Sequence, residues 1–251
     1  MSDRRAFRAA APALAFALAA LVPAAAAAQT VAFDLGGGDS LTLRAVQLFA
    51  LVTLLSLAPA IAVMVTCFPF MVTVLSILRT AVGLQQSPPN MLIVSLALFL
   101  TWFVMAPVFE SAWREGIEPF LAETLALEEA VVRTLEPFRA FMAGRVSPDT
   151  LAALADVAPG REGPAPTPAE APLSLLAPAF LLSELARAFE VGFLIYLPFL
   201  LIDLVVASIL MSMGMMMVPP VVVSLPFKLA FFVAADGWAL LAGALVRGYA
   251  A

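Results

Sequence analysis

Hydrophobic residues in this chain form four long runs that very few charged residues interrupt. The runs are residues 45–78 and 80–109, which contain no charge, and residues 191–227 and 229–246, which contain one aspartate each. A helix of about 20 apolar residues spans a bilayer, so each run has a suitable length. We therefore predict an all-α integral membrane protein with about four long hydrophobic helices.

The first run is too long for one straight crossing of a membrane. Its 34 residues would form a helix about 51 Å long. Pro59 and Pro69 lie within the run, and they are predicted to break or kink the helix. We group the four runs into a first hydrophobic helical pair, residues 45–109, and a second pair, residues 188–251.

The region between the two pairs, residues 110–187, is polar and is predicted to be mainly helical. It carries six arginines and twelve acidic residues. Ser147 followed by Pro148 is typical of a helix start, and the proline-rich residues 159–172 predict an extended linker. Apolar residues recur at steps of three, four and seven, which indicates one amphipathic stripe; they are Leu121, Leu125, Val132, Leu135, Phe138 and Met142.

Residues 1–28 have the features of a cleavable signal peptide. Three arginines within the first eight residues precede an apolar stretch, and small residues follow it up to Ala28. This pattern predicts cleavage between Ala28 and Gln29. Residues 29–44 would then form a short segment outside the cytoplasm, and counting the crossings places residues 110–187 outside it as well.

Composition argues against several classes of function. Hydrophobic residues make up 63% of the chain and charged residues 12%, whereas a soluble domain has about 25% charged residues. The net charge is −5 and no basic stripe is present, which argues against nucleic-acid binding. The chain has no histidine, and its single cysteine, Cys67, is predicted to be a small buried hydrophobe. We predict no metal and no cofactor, and we interpret the chain as a non-enzyme.

Two pairs of opposite charge are candidate contacts. Asp203 and Lys228 lie at similar distances, about twelve residues, from the middle of the last hairpin. They could meet at one depth as a buried ion pair, because an isolated charge is costly there. A shortening of the second helix at Pro226 would spoil this register. Glu184 and Arg187, spaced i, i+3, are predicted to form a surface or intersubunit pair.

The stretch MSMGMMMVPP joins the last two hydrophobic runs. Pro219 and Pro220 forbid a continuous helix and fix a loop. Methionine is unbranched and deformable, so Met215, Met216 and Met217 suit a compliant seal. Composition alone favours the plainer alternative, a helix end that is packed with hydrophobic residues.

Three segments resemble the FliP family of the flagellar type III export gate. They read SPPNMLIVSLALFLTWFVMAPV (87–108), SELARAFEVGFLIYLPFLLIDLVVASILMSMGMMMVPP (183–220) and LPFKLAFFVAADGW (225–238). The resemblance extends from about residue 45 to the C-terminus. Together with the signal peptide, the MMMVPP segment favours the flagellar branch of the family over its injectisome relatives.

This resemblance implies a homo-oligomer of about five copies, assembled with FliQ-like and FliR-like subunits in the bacterial inner membrane at the flagellar basal body. Unfolded flagellar proteins would leave the cytoplasm through the pore of this assembly. Met215, Met216 and Met217 match the family's methionine gasket. The resemblance also implies that much of the apolar helical surface packs against neighbouring subunits above the bilayer.

The chain departs from the family pattern at two places. Pro69 and Phe70 stand where relatives have threonine and arginine, and Ala186 stands where relatives have lysine, with Arg187 one position later. A charge contact of the family is therefore lost or relocated. Alternative functions are an injectisome export gate, a solute or proton transporter that uses Asp203, and a structural scaffold.

Overall fold

The computed structural model describes residues 38–84, 88–160, 163–215 and 217–250. It divides into two units, the first ending at Thr53 and the second comprising Leu54–Ala251. Within the described ranges all regular structure is helical, which confirms the predicted all-α class. The helices are α1 (Gly38–Met64), α2 (Phe68–Val82), α3 (Asn90–Ala112), α4 (Glu118–Leu121), α5 (Leu127–Arg145), α6 (Pro148–Asp156), α7 (Leu173–Ser212), α8 (Pro220–Ala234) and α9 (Gly237–Ala250).

Several helix ends follow from local sequence. Pro69, Pro148 and Pro220 each occupy the first turn of a helix, where the missing N–H leaves no bond unmade. Ser147 is the N-cap residue of α6, as the sequence predicts. The first apolar run breaks at residues 65–67, immediately before α2, whereas α1 continues through Pro59.

A five-residue π-helical turn, Trp113–Ile117, joins α3 to α4. Gly116 lies against α5 in this turn, and a Cβ atom at this position would come within 2.6 Å of the Thr134 backbone nitrogen. The close approach explains a difference from the predicted stripe. Ala130 is the buried residue in the first part of α5, while Val132 and Leu135 are exposed.

Two hydrophobic clusters hold the second unit together. In the first, α2 buries Met71, Val74 and Leu78 against α3 and α7, and a Cβ atom on Gly192 of α7 would lie 2.4 Å from the Ile77 side chain. The second cluster joins α5, α6 and α7; its largest members are Met142, Leu151, Leu176 and Phe180.

Three helices among the described residues are long and apolar enough to cross a membrane, and the bent pair α8–α9 makes up to four. The pair bends by 61°. The longest, α7, has 40 residues and is therefore about 60 Å long. A bilayer core is about 30 Å thick, so α7 is long enough to cross the core and to extend well beyond it.

Candidate functional site

Asp203 of α7 and Lys228 of α8 form a close ion pair. The Lys228 Nζ lies 2.6 Å from the Asp203 Oδ2, and the two side chains are 4% and 24% exposed, respectively. The Ser224 hydroxyl donates to the other carboxylate oxygen, Oδ1, at 2.5 Å. Both oxygens of the aspartate therefore have a donor. Helix α8 continues through Pro226, so this proline does not disturb the register of the pair.

Lys228 also binds the end of a third helix. Its Nζ donates to the Ala81 carbonyl at 3.0 Å, in the last turn of α2. The last carbonyls of a helix lack partners within it and carry partial negative charge, so a cation is favourable there. Gly83, with a φ of +89°, caps two neighbouring carbonyls of the same turn. Lys228 thereby links the C-terminus of α2 to the α7–α8 hairpin.

Ser224 was not among the residues predicted from the sequence. It is completely buried and lies four residues before Lys228, on the same face of α8. In the sequence, its position one helical turn before the only lysine of the chain is the feature that could have identified Ser224. The network of Asp203, Ser224 and Lys228 is a junction between α7, α8 and the end of α2, in which each carboxylate oxygen accepts a hydrogen bond.

Glu184 lies at the centre of a second charged cluster. Its side chain is completely buried, so the prediction that Glu184 forms a pair on the surface of the chain is wrong. The Oε1 atom accepts from Arg187 Nη1 at 3.1 Å and from Arg145 Nε at 3.3 Å. The Tyr249 hydroxyl donates to Oε2. A buried carboxylate needs such partners, because an unpaired one would lose its solvation without compensation.

The partners of Glu184 join distant parts of the chain. The Arg145 guanidinium lies 4.0 Å from the centre of the Tyr249 ring and donates to the Gly248 carbonyl at 2.9 Å. Next to them, the Ser147 backbone N–H donates to the Ser183 hydroxyl at 2.9 Å. The cluster therefore fastens α5, the start of α6, and α9 to the N-terminal third of α7.

The methionine-rich segment forms the connection between α7 and α8. Helix α7 ends at Ser212, Gly214 adopts a φ of +75°, and Pro219 precedes the first residue of α8. The Met217 side chain is 97% exposed and that of Met215 is also exposed. Met216 lies outside the residues that the structure describes.

A groove lies beside this loop, between α7 and α8. Its volume is about 450 Å³, and its lining is entirely apolar. The lining residues are Leu201, Ile202, Val205, Val206, Ile209, Leu210, Val223 and Phe227. The hairpin thus presents apolar surface both along its length and at its tip.

The remaining predicted positions carry no site chemistry in the structure. Burial raises the pKa of the Cys67 thiol to about 12, and this residue lies between α1 and α2, outside the candidate spans. Among the described residues no group of histidine, cysteine, aspartate and glutamate could hold a metal ion. The predicted cleavage site, Ala28 and Gln29, lies outside the described ranges.

Comparison with known proteins identifies relatives over most of the chain. Residues 51–245 match the model of the FliP family. A flagellar biosynthetic protein FliP from Caulobacter vibrioides is 54% identical over 92% of this chain and 86% of its own length. Proteins of the same name from Rhizobium meliloti and Bacillus subtilis are 49% and 44% identical over 81% of this chain, and over 83% and 91% of their own lengths.

Proposed function

Because this chain belongs to the FliP family, a family of non-enzymatic flagellar biosynthetic proteins, we propose that it is a pore-forming subunit of the flagellar type III export gate. In this function, copies of the chain line a passage through which unfolded flagellar proteins cross the bacterial inner membrane. The flagellar names of its relatives favour this context over an injectisome.

The observation that carries this proposal is the exposed methionine loop at the tip of an apolar hairpin. Met215 and Met217 are exposed, and the helix before them presents large apolar side chains along much of its length. In a ring of copies the loops would meet near the axis. Flexible thioether side chains could there fill the opening and yield to a passing chain.

The same surface supports the proposed partners. Helix α7 exposes Phe189, Phe193 and Leu197, with Leu201 and Leu204 farther along. Exposed apolar area on this scale marks a contact with lipid or protein. The proposed contacts are with further copies of this chain, about five in all, and with FliQ-like and FliR-like subunits.

A transporter that uses Asp203 as a proton carrier has less support. Both oxygens of this carboxylate already accept hydrogen bonds, from Ser224 and Lys228. A relay would require further ionisable groups along the membrane path, and Glu184, the fully buried carboxylate among the described residues, belongs to a separate cluster.

The export-gate proposal is tested by replacing Met215, Met216 and Met217 together. Alanine at all three positions removes the side-chain volume of the seal, while the flanking helices keep their packing. The assembled variant should conduct ions in planar bilayers and sensitise cells to permeant solutes. Leucine at the three positions keeps the volume, so this control should remain closed. Because leucine is branched and less flexible than methionine, the leucine variant should export less protein. An alanine variant that assembles fully and does not conduct would refute the seal.

The proposed orientation places residues 110–187 in the periplasm after removal of residues 1–28. It predicts that the mature chain begins at or near Gln29, because small residues precede that position. Terminal sequencing of the membrane-inserted protein checks this prediction. A chain that still begins at Met1 would contradict both the cleavage and the counting of crossings.

A further inference from the structure

A row of apolar side chains on α5 faces outward from the polar region. Leu127, Val131 and Leu135 are spaced i, i+4, i+8 and therefore share one face of the helix. These three side chains and the adjacent Val132 are 44–64% exposed. Helix α5 is not among the candidate membrane spans, so hydropathy does not assign this row to lipid. We call these four residues the α5 row.

The α5 row cannot turn toward the interior of the chain. The adjoining face of α5 carries Ala130 and Thr134, and it packs against the π-helical turn at Gly116. The approach is so close that larger residues would not fit between the two elements. Rotation of α5 would bring Val131 or Leu135 into this contact. The row is therefore held on the outside by the packing of the fold.

Acidic residues are frequent in the part of the sequence that contains the α5 row. Glu128 and Glu136 lie on the same helix, and further carboxylates precede it in the chain. Among the described residues these carboxylates are exposed and take part in no ion pair. They are Glu115, Glu118, Glu123, Glu128 and Glu136.

None of these five carboxylates, which we call the acidic rim, is paired with an arginine in the described part of the chain. Arg133 pairs with Glu129 on the same helix, and Arg139 donates to the carbonyls of Ala169 and Ala171. Arg145 is held in the Glu184 cluster. Residues 115–136, which include the α5 row, therefore carry six glutamates and one arginine, so the row lies in a strongly acidic part of the chain.

We propose that the α5 row is the docking surface for an amphipathic helix of a partner protein, whose apolar face is flanked by lysine or arginine. The apolar row supplies the buried contact, and the acidic rim selects a basic partner by charge complementarity. A second copy that docked on this surface with its own α5 row would bring the same carboxylates face to face, which is unfavourable. An anionic membrane surface would be repelled for the same reason. This proposal does not depend on the export-gate function.

The test uses the full-length chain, purified in an uncharged detergent, and a fluorescent amphipathic peptide of about 18 leucine and lysine residues in a helical pattern. Fluorescence anisotropy should show saturable binding that weakens with salt. The double variant L127S/L135S should bind at least about tenfold more weakly. A matched control is V157S, since Val157 is exposed at the end of another helix and its replacement should leave the affinity unchanged.

A second variant tests the charge without altering the apolar row. E128Q/E136Q should weaken binding about two- to fivefold, since exposed charges contribute modestly, and it should flatten the dependence on salt. Equal binding by L127S/L135S and the parent chain would overturn the proposal, as would equal binding of a leucine–glutamate peptide. Dimerisation that L127S/L135S abolishes would assign the surface to a second copy instead, and stronger binding to anionic than to neutral vesicles would assign it to the membrane.

Discussion

The junction of Asp203 and Lys228 allows a prediction in which the two single substitutions have unequal effects. D203N removes the countercharge of Lys228, which lies in a nearly closed environment and keeps the neutral Ala81 carbonyl as an acceptor. K228M leaves the charge on Asp203, whose side chain is more exposed to solvent than that of Lys228 and still accepts a hydrogen bond from the Ser224 hydroxyl. The cost of the orphaned charge should therefore be larger for D203N.

The magnitudes follow from burial. Loss of one partner of a buried pair costs about 3–5 kcal/mol, and D203N should fall in this range. K228M should cost about 1–3 kcal/mol, because partial hydration and one remaining hydrogen bond stabilise the carboxylate. The double variant D203N/K228M leaves no unpaired charge, so its cost should be within about 1 kcal/mol of the parent chain.

Thermal unfolding of the chain in detergent measures these differences. A cost of 3–5 kcal/mol corresponds to a decrease in Tm of about 6–20 °C for a chain of this size. The expected order of Tm is the parent chain, then the double variant, then K228M, then D203N. Equal decreases in the single and double variants would refute the pairing. A larger decrease for K228M than for D203N would refute the argument from burial.

Two further predictions concern stability. E184Q should lower the Tm by an amount equivalent to about 3 kcal/mol, because Arg145 and Arg187 lose their shared countercharge. The control E190Q, at an exposed position without an ion pair among the described residues, should leave the Tm unchanged. Equal Tm values for the two variants would contradict the role of the Glu184 cluster. G116A should lower the free energy of unfolding by about 1–3 kcal/mol, because its Cβ would meet the α5 backbone. In the control G144A, the added Cβ meets no atom within 4 Å, so this change should be neutral or slightly stabilising. A G116A variant as stable as the parent chain would show that the π-helical turn is not closely packed.

The main helices could be predicted because they depend on local features. Unbroken apolar runs indicate long helices, and proline in the first turn marks where a helix begins. The proposed pairing of Asp203 with Lys228 came from counting along one hairpin, in which equal distance from the turn means similar depth. In the structure the charged atoms of this pair lie 2.6 Å from each other.

Features that depend on distant parts of the chain could not be predicted in this way. Arg145 and Tyr249 lie 39 and 65 residues from Glu184, and no periodicity relates them. The exposed side of α5 was also misjudged, because a glycine in a π-helical turn decides which face of this helix is buried. Periodicity identifies an apolar face, but it does not identify what covers that face.

The junction also has a consequence for how the protein is made. Lys228 follows Asp203 by 25 residues, so at about 5–20 residues per second the ribosome adds it roughly 1–5 s later. During this interval Asp203 is an acid in an apolar helix without its countercharge, which costs about 2.5–3.5 kcal/mol at the centre of a bilayer. Helix α7 should therefore wait at the insertion machinery until α8 has emerged, and the two helices should enter the membrane together as a neutral hairpin.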